Sequence, residues 1–273
     1  MGKRVLDAGL YSSAWLAAAA AAQTAATFQL WPGQAVSYPL VLMVFAATLL
    51  VYNLDAALPF KHRLPAGASA RKAWQQRHRR ALLLLAGGAA LAAGYLLLAN
   101  DWWRLLPGLL PLAALALFYS WPLGRWGALR DVPLLKVFLI AGVWSAVTVG
   151  LPTLALHHPL TEAAGLLAQR FCLVLALAIV FDIRDLSRDR AAGTRTIPVV
   201  LGAAGAKAGA LAFLAGAMGL GFGRGVPPAG LLLTGAAAAA VILLAEERRS
   251  DYFFALLADG VLLVPAAAYF FLS

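Results

Sequence analysis

The sequence predicts an all-α polytopic membrane protein with nine transmembrane helices, and three observations carry that prediction. Hydrophobic residues make up 62% of the 273-residue chain and charged residues only 12%, against about 25% charged in soluble domains. The apolar residues form continuous Ala- and Leu-rich blocks, each long enough for a hydrocarbon core of about 30 Å, which takes roughly 20 helical residues. The basic residues are segregated: of 22 Lys and Arg, all but Arg104, Arg170 and Arg224 fall on one side of the alternating segments. A β-barrel would need short segments of alternating polarity, a pattern these blocks lack.

The segments run, in order, over residues 10–30, 38–54, 81–99, 105–121, 133–151, 163–181, 203–222, 225–245 and 252–272. The first follows Lys3 and Arg4 and resembles a secretory leader, but it is long enough to span and is read as a helix that stays. The Ala-rich runs at 17–22 and 236–240 offer small helix surfaces that let backbones approach closely. The chain reads as one transmembrane domain over 1–273, with inside loops at about 55–80, 122–132, 182–202 and 246–251. The positive-inside rule places these loops and the N-terminus in the cytoplasm, and an odd number of helices puts Ser273 outside. A bacterial plasma membrane is the expected location. The net charge of +10 therefore reports orientation, with no nucleic-acid partner expected. Cys172 is the one cysteine, which leaves no disulfide framework and no thiolate metal site.

Chemistry concentrates in two stretches where an apolar segment meets a charged loop. The second, Asp182-Ile183-Arg184-Asp185-Leu186-Ser187-Arg188-Asp189, spaces three carboxylates at i, i+3 and i+7, which one helix would carry on one face. Such acids repel unless a cation lies among them. Mg²⁺ characteristically takes one or two carboxylates, waters and substrate phosphate oxygens, so the stretch reads as a Mg²⁺–diphosphate site. The competing reading pairs the same acids with Arg184, Arg188 and Arg190. Gly193-Thr194-Arg195-Thr196 follows, with hydroxyls and a guanidinium suited to phosphate oxygens. The first stretch, Val51-Tyr52-Asn53-Leu54-Asp55, aligns weakly with Val180-Phe181-Asp182-Ile183 and suggests two helix ends facing each other across a cavity.

Read from Asp182 to Thr196, the second stretch resembles the second acidic motif of the UbiA-type intramembrane prenyltransferases, which include the 4-hydroxybenzoate polyprenyltransferases. The resemblance covers essentially the whole chain. It implies a nine-helix bundle around a cavity open to the cytoplasmic side, with acidic motifs after helices two and six. It also implies Mg²⁺-dependent transfer of a polyprenyl group from a prenyl diphosphate to an aromatic or other lipophilic acceptor within the bilayer. By that resemblance Asp182, Asp185 and Asp189 hold metal, Asn53, Lys136, Arg184 and Arg195 bind diphosphate, and Tyr119-Ser120 and Lys136 occupy further family positions.

The first motif departs from the family's Asn-Asp-x-x-Asp. Anchored on Asn53, its acidic positions hold Leu54, Ala57 and Lys61, while Asp55 lies out of register. Either Lys61, with Arg71 or Arg77, neutralises phosphate in place of metal, or this is simply the main positive-inside loop. Tyr119, Asp55, Trp144 and Asp259 are candidate cavity residues; Trp144, Thr148 and Trp74 read equally as packing or interfacial anchors. His157-His158 lies on the outer side, away from other ligands. A relative acting on prenyl diphosphate without an aromatic acceptor, a noncatalytic isoprenoid-binding protein and a transporter are the alternative readings.

Overall fold

The computed structural model describes residues 2–58, 69–119, 121, 129, 132–222 and 226–272. Among these residues helix accounts for 82% and no strand occurs, as the continuous apolar blocks require. The chain opens with α1 (Gly2–Tyr11), α2 (Ala14–Gln29), α3 (Tyr38–Ala57), the short loop helix α4 (Ala70–Arg77), α5 (Arg79–Ala99) and α6 (Leu106–Phe118). It continues through α7 (Leu135–Ser145), a π-helical turn at Ala146–Gly150 and α8 (Leu151–Ala155). Then come α9 (Ala164–Arg184), α10 (Leu186–Ala191), α11 (Ile197–Gly221) and α12 (Pro228–Leu244). The last apolar segment is irregular, with a π-helical stretch at Phe253–Ala258 and a 3-10 turn at Val261–Leu263 before α13 (Val264–Leu272).

Each of the expected apolar segments is mainly helical over its described residues, but they are not equivalent. Among the described residues, five helices are long and apolar enough to cross a membrane: Tyr38–Ala57, Arg79–Ala99, Leu135–Ala155, Ala164–Arg184 and Ile197–Gly221. The first segment is instead a pair, α1 and α2, bent by 60° at Ser13, which sits at φ 61°. Counting that pair as one span gives six. Trp102–Ala116, Pro228–Leu244 and Phe253–Ala268 are apolar but shorter. The chain is an integral membrane protein by these helices.

α9 is the axis of the bundle. Its apolar window is 67% buried, against 17% for α5, whose face turns outward. Leu173, Leu175, Ala176, Ile179 and Val180 of α9 are all fully buried, and α7, α11 and α12 pack around them. α11 approaches most intimately because Ala206, Ala210 and Ala217 line one face without exposure, and small residues bring helix backbones together where no hydrophobic driving force exists.

Backbone breaks are repaired from neighbouring helices. Pro152 has no N–H, so the carbonyl of Thr148 four residues earlier loses its helical partner. The Thr27 hydroxyl of α2 donates to that carbonyl at 2.7 Å, and Arg170 of α9 donates to the Thr148 hydroxyl at 2.9 Å. In hydrocarbon an orphaned carbonyl has no water to turn to. Thr27→Val should therefore lower stability by about 0.5–2 kcal/mol, read as a lower Tm in detergent, with Thr27→Ser restoring it.

Candidate functional site

The acidic motif is built where the central helix stops. α9 ends at Arg184, Asp185 caps it at φ −96° and ψ 7°, and α10 begins at Leu186. The three aspartates are therefore not on one uninterrupted helix. The break is mild, because the Asp189 N–H donates to the Asp185 carbonyl at 2.8 Å across it. Asp182, Asp185 and Asp189 all remain buried, within reach of each other's charge.

The following loop closes with a defined turn. The Thr194 N–H donates to the Asp189 carbonyl at 2.9 Å and the Gly193 N–H to the Arg190 carbonyl at 3.2 Å. This is the paired bonding that ends helices when the residue past the cap is left-handed, and Gly193 supplies φ 69°. The Arg195 carbonyl then accepts the Leu134 N–H at 3.0 Å, docking the loop on the start of α7. Two residues on, Lys136 Nζ meets Asp182 Oδ1 at 2.6 Å, with the Asp182 side chain 2% exposed. Lys136, expected to bind diphosphate, is here the direct counterion of the motif's first aspartate.

Asp185 is the most heavily paired of the three. Arg184 grips it from Nε and Nη2 at 3.2 and 3.1 Å, and Arg188 Nη2 approaches the same carboxylate at 2.8 Å. Arg188 also lies 3.8 Å from Asp189, between the two acids whose repulsion the sequence poses. Burial pushes the Asp185 carboxyl up, but Arg184, Arg188 and Lys136 outweigh it and hold the group below the ordinary carboxylate value. Asp189 goes the other way. Burial raises it, and the attraction of Lys136, Arg188 and Arg184 does not cancel that rise and the repulsion from Asp185. Asp189 Oδ2 and Thr196 Oγ1 are both buried and make no hydrogen bond.

The first motif's described residues lie at the end of α3. Asn53 is buried and its Nδ2 donates to the carbonyls of Ser12 and Leu49 at 2.9 and 2.8 Å, so its amide nitrogen bonds the α1–α2 junction. Beside it the Tyr52 hydroxyl accepts the indole N–H of Trp144 at 3.1 Å, and Trp144 is buried. Arg71 in α4 faces inward. Its guanidinium donates to Ser13 Oγ at 3.1 Å, its backbone N–H to Asp251 Oδ2 at 3.0 Å, and its charge acts with those of Asp259, Arg184 and Tyr52. Asp259 is buried, 8% exposed, and the charges that reach it are those of Arg71 and Arg184. Arg184 also lies over the rings of Phe181 and Phe254 at 5.2 and 5.5 Å.

The remaining expected residues divide by position. Lys61 and Ser120 lie outside the described residues. Asp55 is half-buried in α3 and Tyr119, also half-buried, caps α6. Arg195 is exposed, with only its carbonyl engaged in the docking contact. On the far side, His158 pairs with Glu162 at 2.9 Å and stacks on Trp31 at 4.1 Å. Sequence reasoning missed the Tyr52–Trp144 bond and a clamp from Glu247, whose two oxygens accept the Ser187 N–H and hydroxyl at 2.9 and 2.8 Å. Neither has a local signal, since each joins residues 60 or more positions apart.

Among the described residues no group of three His, Cys, Asp or Glu stands ready to hold a metal, and Asp182 and Asp185 are engaged by Lys136 and by Arg184 and Arg188. The unpartnered Asp189 oxygen still fits Mg²⁺, which often takes one or two carboxylates and completes its shell with water and substrate phosphate.

The model of the UbiA prenyltransferase family matches residues 68–258, well over half of the chain. No curated relative and no solved structure matches it.

The two best-placed acids should separate in a stability measurement. Asp185→Asn strands Arg184 and should cost about 1–2 kcal/mol. Asp189→Asn removes a buried charge that lacks a partner on one oxygen. A carboxylate whose pKa is raised on folding loses stability as pH rises through the folded value. The Asp189→Asn variant should therefore match or exceed the wild-type Tm at pH 7, with any gain disappearing toward pH 4. The lowered Asp185 has the opposite sign: its stabilisation is present above the ordinary carboxylate range and is lost as pH falls below it. Thermal scans of both variants between about pH 2 and pH 7 read both signs directly.

Proposed function

Since the chain belongs to the UbiA prenyltransferase family, which implies membrane prenyltransferase activity, we propose that it transfers a polyprenyl group from a prenyl diphosphate to a lipophilic acceptor in a Mg²⁺-dependent reaction. The observation that carries this reading is Asp189: a carboxylate oxygen buried without a partner costs stability, and a ligand that completes it explains its presence. Asp189 would hold the metal, with Asp185 beside it and Asp182 kept in place by Lys136. When bound, Mg²⁺ would neutralise diphosphate oxygens as the leaving group departs.

The protein's own groups do the rest. Lys136 lies within electrostatic reach of all three aspartates and, 22% exposed, can share its charge with an incoming phosphate. Arg71 in α4, whose charge reaches Arg184 and Asp259, adds a guanidinium outside the acidic motif, while the family's first-motif acid positions hold Leu54, Ala57 and Lys61. This supports direct cationic contact with diphosphate, with Lys61 joining Arg71 in that role. The apolar lining of α9 suits an isoprenoid tail, and the Trp144–Tyr52 pair presents an aromatic edge to an acceptor. The cationic rim favours a cytoplasmic site with the N-terminus on the same side, in a plasma membrane.

The test is Mg²⁺-dependent binding of farnesyl or geranylgeranyl diphosphate to purified protein, followed by diphosphate release with candidate acceptors. Asp189→Asn should lose binding by at least about tenfold while remaining as stable as wild type. Arg71→Gln should weaken diphosphate binding without changing its Mg²⁺ dependence. Metal-independent binding would defeat the role given to Asp189, and absence of binding would defeat the reading. Binding without turnover across acceptors would favour a noncatalytic isoprenoid-binding protein.

A further inference from the structure

A cleft of about 500 Å³ opens where α12 gives way to the last apolar segment, and none of its lining residues belongs to the acidic motif. Arg248, Arg249 and Ser250 form one end, Phe253, Leu256 and Leu257 the other, with Tyr252 between them. The polar end is exposed and Leu257 is 51% exposed, so the cleft runs from a cationic rim onto an outward apolar face.

Glu246, Glu247 and Asp251 flank the two arginines along the chain, but among the described residues none of them is paired with either guanidinium. Both oxygens of Glu247 are taken by Ser187, and Asp251 accepts the backbone N–H of Arg71. Among the described residues neither Arg248 nor Arg249 forms a salt bridge; Glu246 is the remaining acid of the turn. Arg249 is nevertheless positioned: its Nε donates to the Leu244 carbonyl at 3.0 Å and its guanidinium lies 5.7 Å from the Phe253 ring centre. That geometry keeps its terminal nitrogens available, and guanidinium pairs bind phosphate oxygens well.

We propose that this cleft binds an anionic phospholipid of the surrounding bilayer, its phosphate on Arg248, Arg249 and Ser250 and its acyl chain along Leu256 and Leu257. Cationic side chains beside an apolar membrane face are the combination such a lipid completes. The occupant is a lipid and not a soluble phosphate, because half of the cleft is apolar. The inference does not rest on the prenyl-transfer reading. The same segment touches the acidic motif twice, through Glu247 on Ser187 and through Phe254, whose buried ring lies under Arg184 and 5.9 Å from Phe181. A lipid held on its outer side therefore braces the inner contacts.

The experiment compares full-length protein in detergent supplemented with phosphatidylglycerol, phosphatidylcholine, glycerol phosphate or farnesyl diphosphate, reading retained lipid by native mass spectrometry and Tm by thermal unfolding. Phosphatidylglycerol should be retained preferentially over phosphatidylcholine and raise Tm, and glycerol phosphate should do neither. Each arginine replaced should lower that preference about fivefold, so Arg248→Gln/Arg249→Gln brings it near parity. Arg248→Gln alone, at a side chain making no hydrogen bond to the described residues, serves where the double variant folds poorly. Equal retention of the two lipids, a preference that survives the substitutions, or stabilisation by glycerol phosphate overturns the proposal. So does a loss confined to farnesyl diphosphate.

Discussion

The ion pair between Lys136 and Asp182 is the constraint on which the arrangement of the site depends. An aspartate 2% exposed at the end of the central helix is costly unless a cation stands against it. Lys136 can do so only because α7 starts where it does. That start is set by the Leu134 N–H bonding the Arg195 carbonyl, and the loop bearing Arg195 is shaped by Gly193 at the end of α10. One buried charge thus ties α7, α9, α10 and the loop before α11 into a single rim.

Within that rim the three acids are treated differently. Asp182 has its lysine, Asp185 has two arginines, and Asp189 keeps an oxygen with no partner. Paired acids hold the structure together and the unpaired one weakens it, a division typical of sites that keep a ligand group ready at some cost in stability. Arg184 neutralises Asp185, stacks on Phe181 and Phe254, and extends positive potential toward Asp259 and Arg71. Asp259 is thus reached by two guanidiniums, Arg71 from α4 and Arg184 from the end of α9.

Membrane packing explains why the polar groups gather at one end. α9 is enclosed by apolar side chains and by the alanines of α11 over most of its length, with no room or solvation for charge. Where backbone bonds break deeper in the bundle, as at Thr148, uncharged hydroxyls and the buried Arg170 complete them. The charged residues with freedom to rearrange lie at the helix ends, where the headgroup region offers water and counterions.

Much was legible in the chain itself. Hydropathy alone determined that it is helical and membrane-embedded, because each span must satisfy its own backbone and so writes a block of about 20 apolar residues. The local spacing of Asp182, Asp185 and Asp189, with Gly193 and Arg195 after them, marked a candidate site, because residues within two successive helical turns and the loop that closes them stay near each other. What the sequence could not decide was which charge meets which. That Lys136 and not an arginine neutralises Asp182, that Arg188 sits between two acids, that Arg71 turns inward toward Asp259 and that Glu247 clamps Ser187 follow from how separate helices pack. Such pairings are set by distance in space, on which spacing along the chain is silent. The bend at Ser13 and the shorter helices at Trp102–Ala116, Pro228–Leu244 and Phe253–Ala268 are likewise features that hydropathy averages away.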